Sequence, residues 1–490
     1  MQTNSTTLSK NSELRTNLAK NSTKILVDKN ERLLVDEFNE IIDRSDQVEN
    51  IDSQQFLTHG YISKYDIRNE IFDQQRKNIT ALYELIIQDF EKDKTEMMEA
   101  LGLSEIDLIN IEVGEGDFHD GKSTAIVKLL NDVQLVYKPN SGKITTGFHN
   151  FLDWVNHQNN TNHHTYKILD KGHYHWLEFV KYVECQSEEE LALYYQRCGV
   201  LLAVIYALNG CDFHYENVIA HGAYPVVIDH ETVIQPKVDP SYLTLFKSRG
   251  LELQDTVYGS MLLPNQEVMN TMPSGMCGFG WHKQTRFNGL TSVGMNRFTK
   301  DWKVVADFFT YYLYKNNIPM FNGEKVYPYQ YLNQLIEGFE STYQLLLEHR
   351  NLLVSSDSPL KSFDQTRIRY IWRPTSVYAK ILKKVRLPQN LKDKKNYEES
   401  IRYYLSKAFK NVSKESDLWL IYEHEVTQML RGDIPFFEMD SSSHDLITEH
   451  GRIKNFFELN AVENIHRKLN KLSPEDLEYQ KNLIKNSIFG

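Results

Sequence analysis

The sequence predicts an α+β protein of two lobes, a small β-rich N-lobe and a larger, mainly helical C-lobe, with additional helices. Three observations carry this. Apolar residues between Glu31 and Leu103 recur at helical spacing, best seen at Leu82, Leu85, Ile86 and Phe90. From Asp107 the period switches to that of strands and holds to about Phe179. After Ser187 a long apolar helical pattern begins, and helical patterning dominates again from Asn396. The boundaries that follow are a polar lead-in and short helical region over 1–59, an N-lobe over about 104–186 and a C-lobe over about 187–490.

Composition narrows the function. The 490 residues leave room for roughly two to four domain-sized units. A net charge of −11 argues against a nucleic-acid partner, because no overall basic surface exists to neutralise phosphates. The four cysteines, Cys185, Cys198, Cys211 and Cys277, form no C-x-x-C pair. They suit a reduced, cytoplasmic protein with neither a disulfide framework nor a cysteine zinc site. The N-terminal MQTNSTTLSKNSELR lacks the apolar core of a signal peptide, and the longest apolar stretch, Val200 to Leu208, is too short to span a bilayer. Residues 1 to about 30, rich in Asn, Ser, Thr and Lys, read as a disordered or loosely attached lead-in.

Taken in order, Leu108, Ile109, Ile111 and Val113 read as a strand running into Gly114-Glu115-Gly116-Asp117-Phe118-His119-Asp120-Gly121. Ala125 to Leu130 is a second strand, Asn131-Asp132 a turn, and Val133 to Tyr137 a third strand closing at Lys138-Pro139. Strand, glycine loop, strand, turn, strand, lysine is the order of a kinase N-lobe, where the loop covers phosphates and the lysine contacts them. A kinase would also supply a glutamate to pair with that lysine. None lies between Lys138 and Asp170, and the first afterwards is Glu178. The polar stretch 156–165, with its histidines, fits no metal-ligand spacing and reads as a solvated loop. His173, His175, Leu177 and Phe179 alternate into a strand, and Ser187 with Glu190 makes a capping box. The helix it opens leads directly to Asp212.

The segment from Cys211 to Thr232 is the chemical centre. Asp212 precedes Asn217 by five residues, and Asp229 follows twelve later, after Val226-Val227-Ile228. Kinases place a catalytic Asp five residues before a metal-binding Asn, then a second metal-binding Asp beyond a short strand. Phosphoryl transfer needs divalent metal on oxygen ligands and a carboxylate to orient the attacking hydroxyl. The bland alternative is a polar turn between helix and strand, where Asp and Asn are common anyway. In R-I-R-Y-I-W-R-P-T (367–375), strand alternation would set Arg367, Arg369, Arg373 and Thr375 on one face, suited to a phosphate, over Ile368, Tyr370 and Trp372. A solvated basic face over an apolar core is an equally simple reading.

Together, G-D-F-H-D-G (116–121), L-V-Y-K-P (135–139), D-F-H-Y-E-N-V-I-A (212–220), P-V-V-I-D-H-E-T (225–232), R-Y-I-W-R-P-T (369–375) and R-G-D-I-P-F-F (431–437) resemble the dehydratase domain of class II lanthipeptide synthetases, the LanM family. The likeness covers roughly residues 60–490. It implies a lipid-kinase-like core with added helices that uses ATP and Mg²⁺ to phosphorylate Ser and Thr of a lanthipeptide precursor and then eliminates phosphate, giving dehydroalanine and dehydrobutyrine. By resemblance, Lys138 and Gly116 contact ATP and Asn217 and Asp229 hold metal. Asp212 orients the substrate hydroxyl with His214 and Glu231 beside it, and Asp117 and His119 belong to the phosphate-binding loop. Arg369 and Thr375 match residues implicated in elimination. Full-length members carry a C-terminal cyclase with a Cys/Cys/His zinc site. No such cysteine cluster is present here, so ring closure is not assigned to this chain, and a separate cyclase is the partner that could supply it.

Three functions compete on this sequence: a two-step peptide dehydratase, a peptide kinase that does not eliminate, and a catalytically silent peptide-binding remnant. The R-Y-I-W-R-P-T segment favours the first over the second. The joint presence of Lys138, Asp212, Asn217 and Asp229 disfavours the third.

Overall fold

The structure is a computed structural model that describes residues 12–44, 53–58, 66–242, 253, 255–265, 276–282, 287–311, 316–391 and 393–489. It is α+β, with long helices and small antiparallel sheets. Helix α1 (Ser12–Arg44) is followed by a short helix at Ser53–Thr58 and by α2 (Asp66–Leu101). Residues 12–30 are therefore helical and not the loose lead-in that composition predicts. Leu14, Leu26 and Val27 are buried, because their apolar side chains fall on the face that packs on the rest of the chain.

Strands β1 (Leu108–Val113), β2 (Ala125–Leu129) and β3 (Gln134–Lys138) form a meander. Helix α3 (Lys143–Asn159) leads from it to β4 (Ile168–Asp170) and β5 (His175–Glu178). The five strands make one sheet in the order β1-β2-β3-β5-β4. Alternate residues Ile111, Val113, Ala125, Val127, Leu135, Tyr137 and Trp176 face Ile79, Leu82, Tyr83, Ile86 and Phe90 of α2 in one apolar core. Two buried carboxylates of α2 serve that face: Tyr137 donates to Asp89 (2.8 Å), and Tyr174 and the Trp176 indole donate to Asp93 (2.8 and 3.0 Å). The register sets Val113 against Ala125, Ala125 against Tyr137 and Lys138 against His175. The glycine loop between β1 and β2 and the lysine closing β3 thus lie at the same end of the sheet, as their order in the sequence predicts.

Helix α4 (Glu188–Leu208) starts at the N-cap Ser187, whose hydroxyl accepts from the Glu190 amide (3.2 Å). The Glu190 carboxylate closes the box one residue early, on the Gln186 amide (2.7 Å). This 21-residue helix is long and apolar enough to cross a membrane, but most of it is buried inside the fold. It crosses α5 (Leu332–Glu348) at two glycines: a Cβ on Gly199 would lie 1.9 Å from the Leu335 carbonyl oxygen, and one on Gly338 1.9 Å from that of Gln196. Gly199→Ala is expected to force the helices apart and lower stability by about 3 kcal/mol, read as the shift in a urea or thermal midpoint. An unchanged midpoint would mean that the crossing is looser than described.

Beyond α4, a hairpin of β6 (Val218–His221) and β7 (Tyr224–Val227) turns at Gly222. Further on, β8 (Arg367–Tyr370) precedes α6 (Thr375–Val385), α7 (Lys394–Ser406) and α8 (Trp419–Leu430). Strand β9 (Phe437–Asp440) returns to pair with β8. The region after Asn396 is helical as predicted, but four short strands between Phe437 and Leu459 interrupt it. Within 156–165 the solvated-loop reading fails at His163, which is buried with its backbone amide on Asn156 (2.7 Å).

Candidate active site

The β6–β7 register opposes Val218 to Val227, and the Ile228 amide donates to the Asn217 carbonyl (3.1 Å). The hairpin therefore brings Asn217 and Asp229, twelve residues apart, to one end. Asp212 stands before it with φ 66°, a left-handed conformation that Asp tolerates better than most residues. Its segment is fixed through Cys211, whose carbonyl accepts from the Thr232 hydroxyl (2.6 Å) and whose amide donates to the Thr232 carbonyl (3.1 Å). Asn217 Nδ2 donates to the Asp212 carbonyl (2.8 Å), which leaves the amide oxygen on the side away from that carbonyl. His214 Nδ1 accepts from the Glu216 amide (3.2 Å), and its Nε2 lies 3.5 Å from Asn217 Nδ2.

Two cations arrive from elsewhere in the chain. Lys138 Nζ sits 3.1 Å from Asp229 Oδ1 and 3.3 Å from the Ile228 carbonyl oxygen. Glu178, the first glutamate after the lysine in the sequence, accepts from the Lys167 amide (3.2 Å), and β5 places it opposite Leu135, three residues from Lys138. Arg369, held by β8, donates from its guanidinium to Glu231 Oε1 (2.7 Å) and from its amide to the Glu231 carbonyl (3.2 Å). Side chains flanking His230 thus face the two cations, while His230 itself is buried against Phe148 and His149.

The charges are interlocked. Burial alone would raise Asp229, but Lys138 and then Arg369 outweigh it and hold its carboxyl below the usual range. Burial and the Asp229 charge push Glu231 up despite Arg369. Burial likewise raises Asp212, against the pull of His214 and Arg369. Arg369 is held charged: burial opposes it, and Glu231, Asp229 and Asp212 together prevail. One arginine lies in the field of three carboxylates.

From the glycine loop, His119 approaches this cluster. Gly116 has φ 121°, and a Cβ there would meet nothing within 4 Å, so glycine serves the backbone conformation and not the room. The His119 ring donates from Nδ1 to the Ile434 carbonyl (2.8 Å) and packs on Phe436, which also lies 5.2 Å from the Arg369 guanidinium. Burial, Arg369 and Lys29 bring His119 down to about 3, so the ring is neutral and presents a lone pair at Nε2.

Sequence reasoning gave no role to the residues that clamp this loop. The R-G-D-I-P-F-F string runs alongside it: the Ile434 amide donates to the Phe118 carbonyl (3.0 Å), and the Gly121 amide donates to Asp433 (3.1 Å). Burial raises Asp433 to about 6. From α1, Lys29 lies 3.7 Å over the Phe118 ring, brought down to about 8 by burial and Arg386. The string itself was a signal; Lys29 left none, sitting in a stretch that composition assigned to a loose lead-in.

The expected arginine face does not form. The strand ends at Tyr370, so alternation stops there. Arg367 is exposed and pairs with Glu438 (3.2 Å), and Arg373 is committed to the fully buried Glu425 through two bonds (2.5 and 2.8 Å), with Tyr378 on the same carboxylate (2.7 Å). The opposite face behaves as predicted: Ile368 is buried, and Tyr370 and Trp372 pack on Phe456. Thr375 opens α6 and makes no hydrogen bond or ion pair to the cluster, and Asp117 is exposed on the loop, its charge felt by Lys29.

Asn217 and Asp229 offer hard oxygen donors side by side, a set that suits Mg²⁺, which takes one or two protein ligands and completes its shell with water and phosphate. Among the described residues no group of three or more His, Cys, Asp and Glu side chains forms a self-sufficient metal cage.

Over 449 residues the chain is 29% identical to the lacticin 481/lactococcin biosynthesis protein LcnDR2 of Lactococcus lactis subsp. lactis, covering 86% of this chain and 45% of that protein. The chain thus spans less than half the length of the curated relative it matches. The family model described as "Domain of unknown function (DUF4135)" matches residues 66–440, which contain every candidate site residue, and the chain belongs to that family, one associated with the synthetases its motifs resemble.

Proposed function

We propose that this protein dehydrates Ser and Thr of a lanthipeptide precursor in two steps, ATP-dependent phosphorylation and then elimination of phosphate. The observation that carries the reading is the coupled set of Asp212, Asp229 and Glu231 with Lys138 and Arg369, assembled from three separate stretches of the chain. Asn217 and Asp229 would hold Mg²⁺, which when bound neutralises and positions the phosphates of ATP. Lys138 hands its charge from Asp229 to the phosphates, beneath a glycine loop that includes Gly116, Asp117 and His119. Asp212, its pKa raised by burial, is suited to accept the proton of the substrate hydroxyl nearer to neutral pH, with His214 beside it. Arg369 serves the departing phosphate, with Glu231 as the carboxylate that holds it and Thr375 as a further contact. On this reading the sheet region (about 104–186) is the small lobe and 187–490 the large lobe of a lipid-kinase-like core. The precursor peptide and a cyclase that consumes the dehydrated residues are its partners in the cytoplasm.

A peptide kinase without elimination is the second reading. It gains support from Arg373 and Arg367, which are tied to Glu425 and Glu438 and leave Arg369 as the arginine of that segment within the cluster. Incubation with a precursor peptide, ATP and Mg²⁺ followed by mass spectrometry tests both. Dehydrated peptide supports the first reading, phosphopeptide alone the second, and unmodified peptide overturns both. In the same assay Lys138→Met should raise the KM for ATP by about tenfold or more with little change in melting temperature, since it removes a phosphate contact and leaves Asp229 with Arg369 nearby. A collapse in stability would make the lysine structural.

A further inference from the structure

The chain is acidic, yet residues 375–414 carry eleven Lys and Arg against three Asp and Glu. The structure places much of this charge on one face. On α6, Ser376, Val377, Lys380, Lys383 and Lys384 form an exposed stripe, while Tyr378, Ile381, Leu382 and Val385 are buried. The stripe continues onto the next helix: Lys384 lies 5.5 Å over the Tyr404 ring, and Lys407 4.4 and 4.9 Å over Tyr403 and Tyr404. Tyr403 is 60% exposed. The carboxylates nearest in sequence are engaged elsewhere, Glu398 and Glu423 by Arg402 and Glu399 by Lys395. Among the described residues Lys380, Lys383, Lys384 and Lys407 have no carboxylate within ion-pair distance. Unpaired like charges along a helix repel, at a cost of a few tenths of a kcal/mol per pair, and among the described residues no ion pair offsets it for these four.

The stripe also has a fixed origin. Its first turn holds Thr375, six residues after Arg369, and α6 is pinned by the Arg373–Glu425–Tyr378 contacts. An eleven-residue helix extends about 16 Å, so the basic face begins on the segment that carries Arg369 and continues along α6. We infer that this face, Val377, Lys380, Lys383, Lys384, Tyr403 and Lys407, docks an acidic segment of the peptide whose hydroxyl enters the site. Cations recruit and steer the carboxylates, and Val377 and the tyrosine rings cover apolar residues between them. The inference rests on the reading that a peptide is the substrate. A peptide is favoured over nucleic acid or membrane because the face is narrow, begins six residues after Arg369 in the chain and sits on a protein of net charge −11.

The test is binding without ATP, so that it does not depend on chemistry. The probe is a fluorescein-labelled twelve-residue peptide of alternating Glu and Leu, followed by anisotropy. The parent should bind it, and about tenfold more weakly when salt rises from about 50 to 300 mM. Lys380→Glu/Lys383→Glu/Lys384→Glu should lose a further tenfold or more with an unchanged melting curve, and Tyr403→Ala should weaken binding without changing its salt dependence. Equal binding by parent and triple variant overturns the inference. So does tighter parent binding of a short DNA duplex or of phosphatidylglycerol vesicles. In the dehydration assay the triple variant should raise the peptide KM and leave kcat and the ATP KM unchanged. Loss of kcat instead would place these lysines in the chemistry and overturn the docking role. Binding that persists in a protein shown to have no kinase activity would sink the proposed reaction and spare the docking face.

Discussion

Asp229→Ala should give a folded protein in which phosphoryl transfer to peptide falls by about a thousandfold or more. The substitution removes one of two adjacent oxygen donors for metal and the partner of Lys138 at once. Its effect on the fold should be much smaller, and the charges say why. Asp229 is held below the usual carboxylate range, so its ion pair stabilises the protein above that range and is lost as pH falls through the depressed value. At pH 7 that contribution is fully present, and the alanine variant forfeits it. Glu231 and Asp212 are both raised, in part by the Asp229 charge, so their ionised forms weaken the fold as pH rises through their raised values. Removing Asp229 relieves both, which offsets the loss. The melting temperature at pH 7 should therefore move little, while activity disappears. Full turnover of ATP and peptide by this variant would exclude Asp229 as a metal ligand and with it the kinase assignment.

What was legible in the sequence was whatever local patterning controls. The three strands of the meander, the helix capped by Ser187 and the short strand that ends before Asp229 all rest on nearest-neighbour periodicity or short turns, and the structure has those elements where they were read. What was not legible depends on partners far away in the chain. Lys138 pairs across 91 residues with Asp229 because the strand register sends Glu178 elsewhere, and no spacing rule reports a register. The arginine face failed for a related reason: alternation holds only while a strand lasts, and Glu425, fifty-two residues on, captures Arg373 in the core. Lys29 was invisible because a helix poor in apolar residues can still be buried when a sheet edge and the R-G-D-I-P-F-F segment lie over it. Composition alone misassigned the first helix.

Arg369→Ala should let phosphopeptide accumulate where the parent makes dehydrated peptide, provided the fold survives the change. The two half-reactions ask different things of one site. Phosphoryl transfer needs metal and an oriented hydroxyl, which Asp212, Asn217 and Asp229 supply without Arg369. Elimination needs the α-proton removed and charge stabilised on the leaving phosphate, and a guanidinium is suited to that through paired contacts to phosphate oxygens. The structure adds a complication. Arg369 is the cation on which Glu231, Asp229 and Asp212 all draw, and its side chain is only 10% exposed. Alanine leaves Glu231 without its partner, at a cost of about 1–3 kcal/mol, and this carboxyl, already raised, will titrate higher still. A stability loss that grows as pH rises is then expected, because the unpaired carboxylates must ionise in place. Arg369→Lys separates fold from chemistry, since it keeps a cation against Glu231 but cannot make the paired contact. The lysine variant should melt near the parent, phosphorylate at a similar rate and eliminate about a hundredfold more slowly. Mass spectrometry reads both steps, the intermediate being heavier than the starting peptide and the product lighter. Unmodified peptide from the lysine variant would move Arg369 into the kinase step, and dehydration at the parent rate would remove it from the mechanism.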